Sequence, residues 1–135
     1  MRFCLCLLIF AAACLAADTH QHVTVRGKLI VREGQPTAVE TAEHKTIPLD
    51  GDENTRKVLG DGRLNGFEIQ VKGHFEGERF VVGPMHQHSM LVQKDGHLKM
   101  VTYWCEVCSI RSYTPGLCVC CREETALDLR DPNEN

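Results

Sequence analysis

The feature that most constrains this chain of 135 residues is the spacing of four cysteines near its C-terminus. Cys105 and Cys108 are separated by two residues, and after nine more residues Cys118 and Cys121 repeat that spacing. Each pair can present two sulfur atoms to one ion from a single tight turn, and two such turns complete a tetrahedron of thiolates. The spacing therefore predicts a C-terminal knuckle with four cysteine ligands, and zinc is the expected ion.

A fifth cysteine, Cys120, makes the pattern irregular and leaves alternatives open. It could replace Cys121 as the fourth ligand. A second interpretation is two disulfides without a metal, because exported chains with several cysteines usually oxidise and each bridge stabilises a small domain by roughly 2–4 kcal/mol. A third is a thiol- or copper-handling protein, in which Cys120 takes part in exchange chemistry.

Residues 1–17 have the pattern of a secretory signal peptide. Arg2 provides a basic start, residues 3–13 are almost entirely apolar, and small residues follow up to Ala17. The apolar stretch is too short to span a bilayer, and cleavage is expected after Ala16 or Ala17. Cys14 could alternatively carry a lipid anchor. The sequence thus predicts an exported protein, periplasmic or extracellular, without a transmembrane segment.

The charge of the exported part argues against a nucleic-acid partner. Removal of residues 1–17 takes away one basic residue and three cysteines, which leaves 14 basic residues, 18 acidic residues, a net charge of −4 and five cysteines. Proteins that bind nucleic acids gather Lys and Arg on one face. The expected partner is therefore an envelope protein or a small ligand.

His86 and His88 are candidates for a second metal site. On a strand, residues i and i+2 share a face, so both imidazoles could contact one ion. Met85 and Met90 flank the pair, and their thioethers would favour Cu(I), which makes copper the alternative cofactor. The simpler interpretation places the two histidines on an exposed strand or loop after Pro84.

The remaining sequence predicts a mainly β domain with one short helix. Apolar residues alternate with polar ones over residues 23–31 and 67–75, a period that is typical of half-buried strands. Further strands are predicted near residues 39–41, 46–49, 79–83, 89–93 and 98–103, and a helix over residues 53–59 follows the capping residues Asp50 and Asp52. Many short strands with Gly-rich turns indicate a small β-barrel.

Two segments resemble the OB fold: Val25-Arg26-Gly27-Lys28-Leu29 and Phe67-Glu68-Ile69-Gln70-Val71-Lys72-Gly73. The resemblance covers residues 22–93 and implies an OB-like barrel, a fold that commonly binds oligonucleotides or sugars. It assigns no site residues. The predicted organisation is a barrel over residues 18–100, a zinc-ribbon-like cysteine knuckle over residues 101–129 and a disordered tail over residues 130–135.

The stretch from Tyr103-Trp104-Cys105 to Cys121 is similar to one in uncharacterised exported bacterial proteins. That similarity implies a protein of the cell envelope and supplies no catalytic residues. No pair of acid and base residues, activated nucleophile or phosphate-binding loop can be identified in the sequence. We therefore expect a non-enzymatic binding or scaffold module with a structural Cys4 site.

Overall fold

The computed structural model describes residues 22–134. The predicted signal peptide, its cleavage site and the alternative lipid anchor at Cys14 lie outside these residues. Within the described range, no helix is both long and apolar enough to cross a membrane.

Five strands form a closed barrel with one helix inserted between the third and fourth strands. The elements in chain order are β1 (Val23–Ile30), β2 (Ala38–Glu40), β3 (Thr46–Asp50), α1 (Glu53–Leu59), β4 (Glu68–Glu76) and β5 (Arg79–Val82). Hydrogen-bonded pairs run β1–β2, β2–β3, β3–β5, β5–β4 and β4–β1, so the sheet returns to its first strand. This arrangement confirms the predicted OB-like barrel.

The alternating pattern of β1 places its apolar side inside the barrel. Val25, Gly27 and Leu29 are buried, whereas Arg26 and Lys28 are exposed. Successive strand residues point to opposite faces of a sheet, so the sequence pattern alone determines which side chains enter the core.

Barrel closure depends on glycines where neighbouring strands cross closely. A Cβ atom on Gly27 would overlap the carbonyl oxygen of Glu40, and one on Gly73 would overlap the carbonyl oxygen of Val81. Glycine in a strand often marks such a close approach of two backbones. The two positions therefore need glycine for space, since neither has a positive φ angle.

Helix α1 forms where the sequence predicts it. The Asp52 side chain accepts a 2.8 Å hydrogen bond from the Thr55 backbone N–H, which satisfies one of the free donors at the helix start. Val58 and Leu59 are buried on the helix face that contacts the barrel, and Gly60 ends the helix.

Four further strands extend the sheet beyond the barrel: β6 (Met90–Lys94), β7 (His97–Cys105), β8 (Ile110–Ser112) and β9 (Ala126–Arg130). Strand β6 pairs with β4, and β7 pairs with β6, β8 and β9. The sequence predicts β6 and β7, but it does not predict β8 or β9. Arg130, assigned from sequence to the tail, is the last residue of β9.

The barrel interior and the C-terminal strands share one hydrophobic core. Leu29, Val71 and Phe80 of the barrel are fully buried, and Val101 and Tyr103 of β7 belong to the same cluster. Because β7 ends at the first cysteine pair, the core fixes the base of the predicted knuckle.

Candidate metal centre

The structure brings four thiols together at one point. The Sγ atoms of Cys105, Cys108, Cys118 and Cys121 all lie within 4.8 Å of one another. The Sγ atoms of Cys105 and Cys121 are 3.5 Å apart. A zinc ion about 2.3 Å from each of four sulfurs would place neighbouring sulfurs about 3.8 Å apart. The cluster therefore has the size of a tetrahedral Cys4 site and could hold a metal ion.

No disulfide forms among the cysteines of residues 22–134, where all five are free. The 3.5 Å separation of Cys105 and Cys121 is much longer than a disulfide bond of about 2.05 Å. The cysteines therefore lie close together as thiols that are not covalently linked.

Two hairpins supply the four thiols. The first joins β7 to β8, where Cys105 pairs with Ile110 and the turn between them carries Cys108. The second is closed by a bridge between Leu117 and Glu124, and its turn carries Cys118 and Cys121. Strand β9 then returns beside β7. We call these two turns the first and the second knuckle.

The two knuckles have the same backbone geometry. The N–H of Ser109 donates to the carbonyl oxygen of Cys105 at 2.9 Å, and the N–H of Arg122 donates to that of Cys118 at 3.0 Å. Ser109 and Arg122 also share a left-handed backbone conformation, with φ angles of 52° and 65°. Glycine adopts that conformation most easily, and neither position holds a glycine, so the sequence contains no local signal for these two left-handed residues.

Backbone N–H groups point at the first sulfur of each knuckle. The N–H of Cys108 donates to the Cys105 sulfur at 3.5 Å. The N–H groups of Cys121 and Cys120 donate to the Cys118 sulfur and lower the pKa of that thiol to about 7. Such bonds stabilise the thiolate form that a metal requires.

The pKa values of Cys105 and Cys108 are raised by burial and by contacts with the other thiols. The Cys108 N–H lowers the pKa of Cys105, but burial and hydrogen bonds with the thiols of Cys121 and Cys118 outweigh it, so that pKa is raised. The pKa of Cys108 is raised strongly by hydrogen bonds with Cys120 and Cys121 and by burial. A divalent cation must displace these protons, so metal binding at the cluster releases protons and strengthens as pH rises.

Burial separates the fifth cysteine from the four. Cys105 and Cys118 are only 1% and 3% exposed, and Cys108 and Cys121 are half-buried. Cys120 is exposed and does not belong to the cluster of four sulfurs.

A buried network holds β7 against the barrel. The Tyr103 hydroxyl donates to Asp61 at 2.9 Å. Arg63 contacts the same carboxylate, donates to the carbonyl oxygen of Thr125 at 2.9 Å, and lies 5.2 Å from the centre of the Tyr103 ring. Tyr103 lies in the first hairpin, and Thr125 lies where the second hairpin leads into β9. The network therefore holds both hairpins in place.

A second network connects the three C-terminal strands. Arg111 of β8 donates to Asp128 of β9 at 2.7 Å and to the Thr102 hydroxyl of β7 at 2.9 Å. Its guanidinium also lies 5.0 Å from the centre of the Trp104 ring. An ion pair, a hydrogen bond and a cation–π contact therefore hold β8 beside β7, although β8 has no hydrophobic core of its own.

His86 and His88 do not lie on the strand that a shared ion would require. They belong to a short helical segment, α2 (His86–Ser89), in which residues i and i+2 face different directions. His86 is buried, with Nε2 2.6 Å from the carbonyl oxygen of Tyr113, whereas His88 is exposed. The structure therefore corrects the strand geometry assumed for the two histidines, and their binding of an ion stays a prediction.

Comparisons with protein-family models, with curated proteins and with solved structures found no significant match to this chain. These comparisons therefore assign the chain to no family, and what the structure supports is the cysteine-rich motif itself. That motif is the part of the chain that the fold assembles into a cluster.

Proposed function

We propose that the four clustered thiols hold a structural zinc ion, and that the protein is an exported, non-enzymatic binding or scaffold module of the bacterial cell envelope. The observation that carries the proposal is the convergence of four Sγ atoms within 4.8 Å from two knuckles of equal geometry. Four thiolates in a tetrahedron are typical of zinc or iron, and four protein ligands leave no open position for a substrate.

A structural role for the metal agrees with the short strands and few buried side chains around the cysteines. Strands β8 and β9 contain three and five residues, and β8 has no fully buried side chain. A domain of about 118 residues has a modest core, and a metal that joins two hairpins adds stability that packing does not supply.

Metal analysis of the chain without residues 1–17 tests the zinc site. We expect one zinc per chain, its loss in Cys118→Ser, and its retention in the matched control Cys120→Ser, which changes a cysteine outside the cluster. A thiol count in denaturant with chelator should give the five cysteines of that chain. A metal-free protein with one free thiol would favour two disulfides, and weakly bound copper would favour the thiol- or copper-handling alternative.

A cleft on the barrel supports a binding role. It has a volume of about 590 Å³ and lies beside Lys45, Pro48 and Phe75. Phe75 is 45% exposed and packs edge-to-face on Phe80, with ring centres 5.1 Å apart. Clefts of this size suit small ligands.

Chemical-shift mapping with a panel of small neutral and anionic ligands tests this cleft. We expect shifts at Lys45 and Phe75 that disappear in Phe75→Ser. The control Met85→Ser changes another exposed apolar residue and should leave the shifts intact. Shifts confined to other surfaces would contradict the assignment.

Export rests on the pattern of residues 1–17. Expression of the full chain in a bacterium, followed by fractionation and intact mass measurement, should give an envelope or secreted form that begins near Asp18. A full-length form in the cytoplasm would contradict export.

A further inference from the structure

Two histidines lie side by side on the outside of the barrel. Strands β1 and β4 are antiparallel with Val23 opposite Gly73, so the next residues outward, His22 and His74, lie opposite each other. Directly opposed residues on neighbouring strands have their side chains on the same face. The centres of the two imidazole rings are 6.4 Å apart, and the ring planes are almost perpendicular, at 87°. The barrel therefore brings together two potential metal ligands that are distant in the sequence.

The distance between the rings suits one metal ion between them. Metal–imidazole bonds are about 2.0–2.1 Å long, and each ring centre lies roughly 1 Å behind its nitrogen, so one ion can join rings with centres up to about 6 Å apart. The observed 6.4 Å is close to that limit. His22 is exposed, so its ring can turn towards the ion without disturbing the core. Rotation of that side chain shortens the distance further, as a tetrahedral or square-planar ion requires.

A carboxylate holds the His74 ring in the form that a metal requires. Nε2 of His74 lies 3.1 Å from Oε1 of Glu76, so the N–H of the neutral ring donates to Glu76 and the lone pair is on Nδ1. Arg79 donates to the other oxygen of Glu76 at 2.9 Å and fixes the carboxylate. A metal-binding histidine commonly donates its second N–H to a carboxylate, which orients the ring and makes the ligand nitrogen more basic.

A second histidine–glutamate pair provides an internal comparison. Nδ1 of His44 lies 3.2 Å from Glu40, but the His44 side chain is 87% exposed, whereas that of His74 is 23% exposed. Among residues 22–134, no ring contact joins His44 to another histidine. The site on β1 and β4 therefore differs from an ordinary surface pair by its second imidazole and by the partial burial of its first.

We propose that His22 and His74, with Glu76 supporting His74, form a second metal site that takes a divalent transition-metal ion such as zinc or copper. Imidazole nitrogen suits these ions, whereas magnesium and calcium prefer oxygen ligands. Water completes the coordination, so the ion exchanges with solution, unlike an ion in a closed site with four protein ligands. The ion would cross-link β1 to β4, the pair that closes the barrel. This inference goes beyond the proposed function and does not depend on the Cys4 site.

NMR of the histidine rings tests the proposal with Zn²⁺ as the probe. The chain without residues 1–17, first mixed with one equivalent of zinc for the cysteines, is titrated with further zinc chloride. We expect the ring signals of His22 and His74 to shift together and those of His44 to stay in place. The affinity should fall at least about tenfold in His22→Ala and in His74→Ala, and the matched control His44→Ala should bind like the wild type. Wild-type affinity in both His22→Ala and His74→Ala would overturn the proposal.

A third variant tests the supporting carboxylate. Glu76→Gln should weaken zinc binding about tenfold or more, because removal of the partner of a metal-binding histidine has effects of that size. Glu78→Gln changes an exposed glutamate in the adjacent turn and should leave the affinity unchanged. Equal affinities in these two variants would show that Glu76 does not support the ligand. The ring signals report the histidines directly whether or not the cysteines hold an ion, so failure of this site and failure of the Cys4 site are distinguishable.

Discussion

The hydroxyl of Tyr103 donates a 2.9 Å hydrogen bond to Asp61, and this contact joins the strand that leads to the cysteines to the segment that follows α1. Burial raises the pKa of Tyr103, and the charge of Asp61 raises it further. The hydroxyl therefore remains protonated and acts as a donor. The Asp61 side chain is only 6% exposed, so it depends on this donor and on Arg63.

Replacement of Tyr103 by Phe should lower the free energy of unfolding by about 1–3 kcal/mol, because the buried carboxylate of Asp61 loses one partner. Urea unfolding measures the change. The control Tyr113→Phe alters a tyrosine that is 43% exposed and should have almost no effect. Equal losses in the two variants would show that the contact with Asp61 does not stabilise the fold.

The same carboxylate should make stability depend on pH. Burial raises the pKa of Asp61, but hydrogen bonds from Arg63 and Tyr103 outweigh burial, and the folded pKa lies below the usual 3.8. A depressed pKa means that this stabilisation is fully present above pH 3.8 and is lost as pH falls through the folded pKa.

Asp61→Asn provides the test of this pH dependence. The difference in unfolding free energy between wild type and variant should be largest near neutrality and should shrink below pH 3.8. Any loss of metal in acid affects both proteins and cancels in the difference. A difference that stays constant with pH would contradict the assignment.

Gly73→Ala should destabilise the barrel by roughly 1–3 kcal/mol or more, because the added Cβ overlaps the carbonyl oxygen of Val81 and forces β4 away from β5. Gly62→Ala is the matched control, since nothing lies within 4 Å of a Cβ at that position. Thermal unfolding of the two variants compares them directly. Similar midpoints would mean that the close crossing of the strands is not required.

Ser109→Gly should stabilise the first knuckle by about 1 kcal/mol, because its φ angle of 52° is unfavourable for a residue with a side chain. Arg122→Gly should have the same effect in the second knuckle. Glu123→Gly, at an exposed neighbouring position without a positive φ angle, should lower stability through greater freedom of the unfolded chain. Denaturant unfolding of the metal-loaded proteins distinguishes these signs.

Trp104, the only tryptophan, should report on metal removal. It precedes Cys105 and lies under Arg111, so loosening of β8 exposes its ring to water. We expect a chelator to shift its emission to longer wavelength. Cys118→Ser should show the shifted spectrum before chelation, whereas Cys120→Ser should respond like the wild type. An unchanged spectrum would show that the metal does not hold β8 in place.

Local patterns were enough to predict most of the fold. The alternation around Val25 predicts which face of β1 is buried, and Asp52 marks the start of α1. In β4 the alternation holds at Ile69 and Val71 but not throughout, because Gln70 is buried and Phe75 is 45% exposed. The strands β8 and β9 were missed because three to five residues of mixed polarity show no clear period. They pair with β7 because the two knuckles and the contacts of Arg111 keep both strands beside it.

The spacing within each cysteine pair was decided by sequence alone, because two thiols three positions apart share one turn whatever surrounds them. The alternation that turns Leu29 inward is equally local. Only the tertiary structure decided that Cys108 meets Cys121, that Cys120 stays at the surface and that His86 is buried against Tyr113. These relationships join separate turns, and their geometry depends on how the closed barrel and β7 position both hairpins.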